Sequence, residues 1–263
     1  MPRITDKNRD KHIMSDNNLY DSTRKAWEDI WDSASVDVEL QTAYYKRAIR
    51  GRQEYLPFLN KEDLILEAGS GLSSALIPLR EQGYRVVGVD YAVNSLRASR
   101  EHTPELVLAA ADIHHLPFPD NTLGAYLSFG VLEHFEQGMH DALVEAYRVL
   151  KVGGIAVITI PYPNIVWKLA QWRREQQGKQ RIDDNFYEST YTRDQLIQEV
   201  TAAGFDVVKA VPTSHSFTLW GLGRIFQGEG YYQTSYYAEL LGDVVRVIAP
   251  WSFNFMTMII ARK

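Results

Sequence analysis

The chain has 263 residues, of which 45% are hydrophobic and 23% charged, the balance of an ordinary soluble globular protein. A formal net charge of −5 argues against a general nucleic-acid binder, whose phosphate contacts need a basic surface. The absence of cysteine removes disulfides, thiolate metal sites and a cysteine nucleophile, and it suits a reducing, cytoplasmic setting.

The start, MPRITDKNRDKH, mixes both charge signs without an apolar centre, so 1–16 read as a disordered lead-in and not as a signal peptide. No apolar run reaches the roughly 18 residues of a membrane span. Two amphipathic stretches, 21–34 and 39–59, predict helices that form an N-terminal helical cap over 17–59. The rest, 60–263, reads as one large domain. Short, continuous apolar runs at 63–68, 84–89, 106–110, 123–129 and 154–160 predict buried parallel strands. Helices are expected between them over 72–82, 92–101 and 137–151. The last carries Leu143, Ala146, Tyr147 and Leu150 on one face, with Gly153 and Gly154 as its stop. Beyond the fifth strand comes an insertion over 161–190 with Trp167 and Trp172. A helix from 192, stopped by Gly204, then leads into a strand over 205–211. An aromatic-rich insertion fills 212–250, and the last strand is 253–261.

Strands alternating with helices define an α/β, doubly wound, Rossmann-like sheet. Ligands of such sheets bind at the carboxyl ends of the strands, near the switch point. The first of those ends carries LEAGSGLSS, residues 66–74. Gly69 and Gly71 allow a tight turn and close approach of backbone to a ligand, and Ser74 holds the third small position of a dinucleotide-type turn. Such turns also serve packing alone. Asp90 ends the second strand in VVGVDY, where a carboxylate can accept both hydroxyls of a ribose. It can equally cap the following helix, although Asn94 and Ser95 offer alternative caps. Asp112, after the third strand, can accept from an adenine amino group with Ile113 against the ring, or serve as a plain turn aspartate.

Taken together, LEAGSGLS, VGVDYA, AADIHHLPFPDNTLGAYLSFGVLEHF and RVLKVGGIAVITIP resemble the class I S-adenosylmethionine-dependent methyltransferases. The nearest likeness is to the ubiquinone/menaquinone-biosynthesis subgroup, over about 60–211 and again at 253–263. The resemblance implies a seven-stranded sheet in the order 3-2-1-4-5-7-6 with the last strand antiparallel. It implies S-adenosylmethionine as cofactor, with Gly69, Ser70 and Gly71 beside its methionine part and Glu67 near its amino group. Asp90 would hold the ribose and Tyr91 stack near the adenine. Asp112 and Ile113 would bind the adenine, and Ser128 and Phe129 would line the methionine side through their backbone.

Methyl transfer from a sulfonium is an in-line displacement on an activated carbon, so the protein's main work is alignment and exclusion of water. A general base is needed only where the acceptor arrives protonated. Glu133 and His134, in GVLEHF just past the fourth strand, are the candidates, with a role in organising the pocket as the alternative. The resemblance implies that the loop carrying His114 and His115 closes over the adenine, and no residue set stands out as metal ligands. Trp27, Trp31, Tyr44 and Tyr45 can contact a sulfonium or simply pack. Phe217, Trp220, Phe226, Tyr231, Tyr232, Tyr236 and Tyr237 suggest an apolar acceptor pocket or lid; a homo-oligomer interface or a membrane-surface patch would have the same composition. A small-molecule acceptor is expected, with apolar, lipid-linked, glycan and polar-metabolite acceptors all open. A nicotinamide-dependent oxidoreductase and a non-catalytic binder on the same fold are the competing readings.

Overall fold

The computed structural model describes residue 25, residues 27–178 and residues 189–263. The lead-in expected over 1–16 lies outside the described residues, as do 17–24 of the expected cap and 179–188 of the first insertion.

Seven strands form one sheet: β1 (Leu64–Ala68), β2 (Arg85–Asp90), β3 (Val107–Ala110), β4 (Leu123–Phe129), β5 (Leu150–Pro161), β6 (Asp206–Thr213) and β7 (Met256–Arg262). Their order is β3-β2-β1-β4-β5-β7-β6. β1 lies at the switch point, paired in parallel with β2 on one side and β4 on the other. β7 runs antiparallel to both β5 and β6. The order and the antiparallel last strand are as the sequence led us to expect.

Alternation along the strands feeds two apolar layers, because successive side chains point to opposite faces. Leu66, Val87, Val89, Tyr126 and Ile158 join Leu143, Ala146, Leu196, Val200 and Phe205 on one face. The last five come from α6 (His140–Val149), α8 (Arg193–Ala202) and the residue before β6. Ile65, Val86, Leu127 and Val157 join Val36, Tyr55, Leu76 and Leu79 on the other. Those four come from α2 (Val36–Ala43), α3 (Lys46–Tyr55) and α4 (Leu76–Glu81). The N-terminal helices, α1 (27–32) included, therefore share the core of the sheet.

Several expectations need correction. The strands are not all buried: β3 and β6 form the two sheet edges, and Val107 is 61% exposed, since an edge strand lacks a covering neighbour. α4 starts at Leu76 rather than 72, because 69–75 make the turn after β1, with Ser73 at φ 59. α6 ends at Val149, and Leu150 already pairs with Leu123. Gly153 and Gly154 thus lie inside β5 instead of stopping the helix, and Gly153 N–H donates to the Lys263 carbonyl at 2.8 Å. The stretch 39–59 splits at Tyr44–Tyr45 into α2 and α3. α5 (Val93–His102) is capped by neither Asn94 nor Ser95; its N-cap is Ala92. Asn94 instead donates to the Glu28 carbonyl at 2.8 Å and to Asp32 at 2.6 Å, which ties α1 to α5.

The insertion over 161–190 contains α7 (Ile165–Gln176), and that over 212–250 contains α9 (His215–Trp220) and α10 (Tyr236–Ile248). Among the described residues no helix is long and apolar enough to cross a membrane. α8 opens with a capping box: Thr192 Oγ1 accepts from Gln195 N–H at 3.3 Å, and Gln195 Oε1 accepts from Thr192 N–H at 2.9 Å. Thr192→Ala is expected to lower stability by about 1 kcal/mol, measured by urea denaturation with an unchanged m-value. A change below a few tenths of that would mean the cap is frayed in solution.

Candidate active site

At the carboxyl ends of β1, β2 and β4 the chain closes around a cleft of roughly 250 Å³. Its floor is the turn 69–71. Gly69 (φ 77) and Gly71 (φ 46) occupy the left-handed region, which a residue with a Cβ adopts only at a cost. Space forbids a side chain there as well. A Cβ on Gly69 would lie 2.5 Å from a Val131 methyl, and one on Gly71 would lie 2.7 Å from the Trp31 ring. The turn hangs from β2: the N–H groups of Gly69 and Ser70 both donate to the Val89 carbonyl at 2.9 Å.

Asp90 fixes the same turn from its side chain. Its Oδ2 accepts from Gly71 N–H at 2.8 Å and its Oδ1 from Ala92 N–H at 2.9 Å. Burial pushes this carboxyl up, and the backbone donors partly oppose the shift. Glu67 lies deeper. It is buried, its Oε2 has no hydrogen-bond partner among the described residues, and it faces the cleft. Burial first, and the Asp90 charge second, hold the Glu67 carboxyl well above its ordinary range. A buried carboxylate oxygen without a donor is costly, so this pocket suits a ligand that brings its own cation.

The cleft gathers Glu67, Gly69, Ser70, Gly71, Asp90, Tyr91, Phe129 and His134 from the residues singled out in the sequence. It does not gather Asp112, Ile113, Ser128 or Glu133. Asp112 Oδ1 accepts from His114 N–H at 2.9 Å, an Asx-type turn, and also lies 2.9 Å from His114 Nδ1. Ile113 is in the core, and Ser128 is fully buried on β4. Glu133 and His134 fall in a short 3-10 turn, Leu132–His134. That turn buries Glu133, whose carbonyl accepts from Ser189 N–H at 2.8 Å, while His134 reaches the cleft.

The loop carrying His114 and His115 is pinned from below by α6. Leu116 N–H donates to Glu145 at 2.6 Å, and Arg148 donates to the carbonyls of Leu116 at 3.1 Å and Phe118 at 2.9 Å.

The opposite wall belongs to the N-terminal helices. Trp27 and Trp31, stacked with centroids 5.7 Å apart, line the cleft, and Trp27 meets the His134 ring edge-on at 5.0 Å. Their i, i+4 spacing puts them on one helix face, a signal visible in the sequence. Glu39 also lines the cleft and was not singled out. Burial raises its carboxyl, and a hydrogen bond from the Tyr231 side chain opposes that. Only the packing of α2 against residue 231 reveals it. Gly130, at φ 69, and Val131 complete the rim.

The aromatic insertion behaves differently from the expected acceptor wall. Phe217 stacks on Trp220 at 5.3 Å and meets Phe255 at 4.8 Å, and Trp220 meets Tyr232 at 5.5 Å. These rings pack on one another, and no residue of 212–250 lines the cleft. Among the described residues, no group of three or more His, Asp or Glu side chains converges as metal ligands.

Comparison with known proteins agrees with this geometry. A methyltransferase domain family matches residues 66–158. A demethylmenaquinone methyltransferase of Streptomyces avermitilis is 38% identical over 95 residues, covering 36% of this chain and 40% of that protein. The enzyme of the same name from Listeria welshimeri is 30% identical over 161 residues, covering 56% of this chain and 66% of that protein. The first match thus spans about two fifths of the relative's length. Among solved structures, a chain in the complex between the Haloferax volcanii Trm112 methyltransferase activator and a methyltransferase superposes with a TM-score of 0.61 at 16% identity. It covers 88% of this chain and 96% of that one. A SAM-dependent methyltransferase from Archaeoglobus fulgidus gives 0.57 at 17% identity, over 81% and 92% of the two chains. At such identities these two structures speak for the fold. Residues 66–158 thus match a methyltransferase domain, and the fold is the Rossmann-like fold of S-adenosylmethionine-dependent methyltransferases.

Proposed function

We propose that the chain transfers the methyl group of S-adenosylmethionine to a small-molecule acceptor by in-line displacement. One observation carries the reading: a glycine turn, a ribose-type carboxylate and a buried, partnerless carboxylate oxygen converge on one cleft at the sheet's switch point. A cofactor bearing a sulfonium and an ammonium group suits that acidic lining. When bound, it supplies an activated methyl carbon.

The chain's own residues then have distinct tasks. Gly69 and Gly71 let the backbone approach the ligand. Asp90, already holding the turn, keeps lone pairs for ribose hydroxyls. Glu67 accepts from the amino group, and Tyr91 lies against the nucleoside. Trp27 and Trp31 exclude water and offer ring faces to positive charge. Phe129 closes the methionine side. In this reading Asp112 and Ile113 contact the adenine only after the His114 turn gives way, and Ser128 and Glu133 act as packing.

His134 is the proposed proton acceptor, because it reaches the cleft and Glu133 does not. The division of labour follows: 66–158 binds the donor, while the 17–59 cap and the insertions at 161–190 and 212–250 select the acceptor. The relatives' name, demethylmenaquinone methyltransferase, supports trying quinol-like acceptors first. The matched family region ends before either insertion.

The reading is tested by incubating the chain with S-adenosylmethionine and a panel of phenols, quinols, amines and sugar derivatives, with S-adenosylhomocysteine release as the readout. No acceptor-dependent release across the panel would count against it. With an acceptor in hand, His134→Gln is expected to lower kcat by about 100-fold and to change S-adenosylhomocysteine affinity little. An unchanged kcat would reassign His134 to shaping the cleft.

A further inference from the structure

A second cavity, of roughly 230 Å³, opens between α3, the carboxyl end of β6, α9 and α10. Its charge sets it apart from a chain of net charge −5. Arg47, Arg50 and Arg246 line it, with His215 beside them. The one acidic residue in its wall, Glu54, is paired with Lys209. Nearby Asp243 is engaged by Lys46 and Arg50, while Glu239, which accepts from the Thr234 hydroxyl, lies close enough for its charge to act on Arg47 and Arg50.

Two of the arginines have unspent donors. Arg47 is held between the rings of Tyr45 and Phe217, at 4.9 and 4.8 Å, and its Nη2 donates to the Tyr232 carbonyl at 2.8 Å. Its Nη1 is shut off from solvent and has no acceptor among the described residues, which costs free energy unless a ligand supplies one. Arg246 is exposed and makes no hydrogen bond or ion pair among the described residues. Thr213, Ser214 and Ser216 add polar groups to the same wall.

We infer that this cavity binds the phosphate or pyrophosphate group of an organic ester, gripped by Arg47 and Arg246, with Arg50, held by Asp243, beside them. Planar guanidinium forks match such oxyanions, each offering two parallel donors. The cavity is mechanically joined to the cofactor cleft. Tyr231 bonds Glu39 in the cleft wall, while the next carbonyl, of Tyr232, takes the bond from Arg47 in the cavity wall. The ester comes either free in solution or as a lipid headgroup. Arg246 sits on α10 next to Val247 and Ile248, which are 72% and 73% exposed.

Calorimetric titration with inorganic pyrophosphate, and co-sedimentation with phosphatidylcholine vesicles with and without phosphatidic acid, distinguish the sources. The variants are Arg246→Gln, exposed and safe for folding, and Arg47→Gln. Pyrophosphate binding that falls about tenfold in Arg246→Gln supports the site with a soluble ester. Retention only on phosphatidic acid vesicles, lost in Arg246→Gln, supports it with a lipid ester. No response to either probe, or equal response in wild type and both variants, overturns it. S-adenosylhomocysteine affinity should be unchanged in Arg246→Gln, and its absence in wild type would sink the donor reading without touching this one.

Discussion

Asp90→Ala is expected to weaken S-adenosylhomocysteine binding by about 100-fold and to lower stability by about 2 kcal/mol. The two effects share a cause. The carboxylate holds Gly71 N–H at 2.8 Å and Ala92 N–H at 2.9 Å, so its removal orphans two buried donors and frees the turn. In the proposed function it also removes the acceptor for the ribose hydroxyls. Asp90→Asn separates the two roles. An amide oxygen can keep one backbone donor and most of the stability, yet it presents an N–H where the ribose needs an acceptor. Calorimetry and thermal melts on both variants read the difference. Full affinity in Asp90→Asn would mean the carboxylate serves the turn alone.

The second large effect concerns protons. Glu67 is buried beside Asp90, and its carboxyl is held well above the ordinary range. In the free protein it is therefore protonated at pH values where an exposed glutamate is ionised. The folded state then binds more protons than the unfolded state, and the stability of the free protein falls as pH rises from the ordinary carboxylate pKa through the raised one. A cationic ligand reverses the preference and ionises the group. Binding of S-adenosylmethionine should release a proton across that window, with affinity rising as pH rises.

Titrations in two buffers of different ionisation enthalpy measure the release directly. Glu67→Gln should abolish it, weaken binding by about tenfold and flatten the pH dependence of the free protein's melting temperature. Proton uptake instead of release, or a variant with the wild-type pH profile, would place the ligand's cation elsewhere.

The meeting of the glycine turn with Asp90 was legible because its chemistry is local. The turn 69–71 and Asp90 are joined by neighbouring strand ends, and a Gly-x-Gly followed by a strand-terminal acid needs no long-range contact to be recognised. Asp112 lies outside the cleft lining for an equally local reason. Its side chain is satisfied by the N–H two residues on, and competition between a ligand and an Asx turn leaves no mark on periodicity.

Glu39 could not have been found, since its place in the cleft depends on α2 meeting residue 231, far along the chain. The aromatic insertion offered composition alone, which does not say which rings pack on one another. Phe217 and Trp220, candidates for an acceptor pocket or lid by composition, stack on each other, and Phe217 also packs on Phe255. The start of β5 failed for a subtler reason. Leu150 continues the apolar face of α6 in sequence, yet pairing with Leu123 captures it for the sheet.

Calorimetric titration with S-adenosylhomocysteine, with NAD in parallel, tests the central claim most directly. The account predicts saturable binding of S-adenosylhomocysteine at one site per chain and no heat with NAD. Binding of NAD without S-adenosylhomocysteine would contradict it.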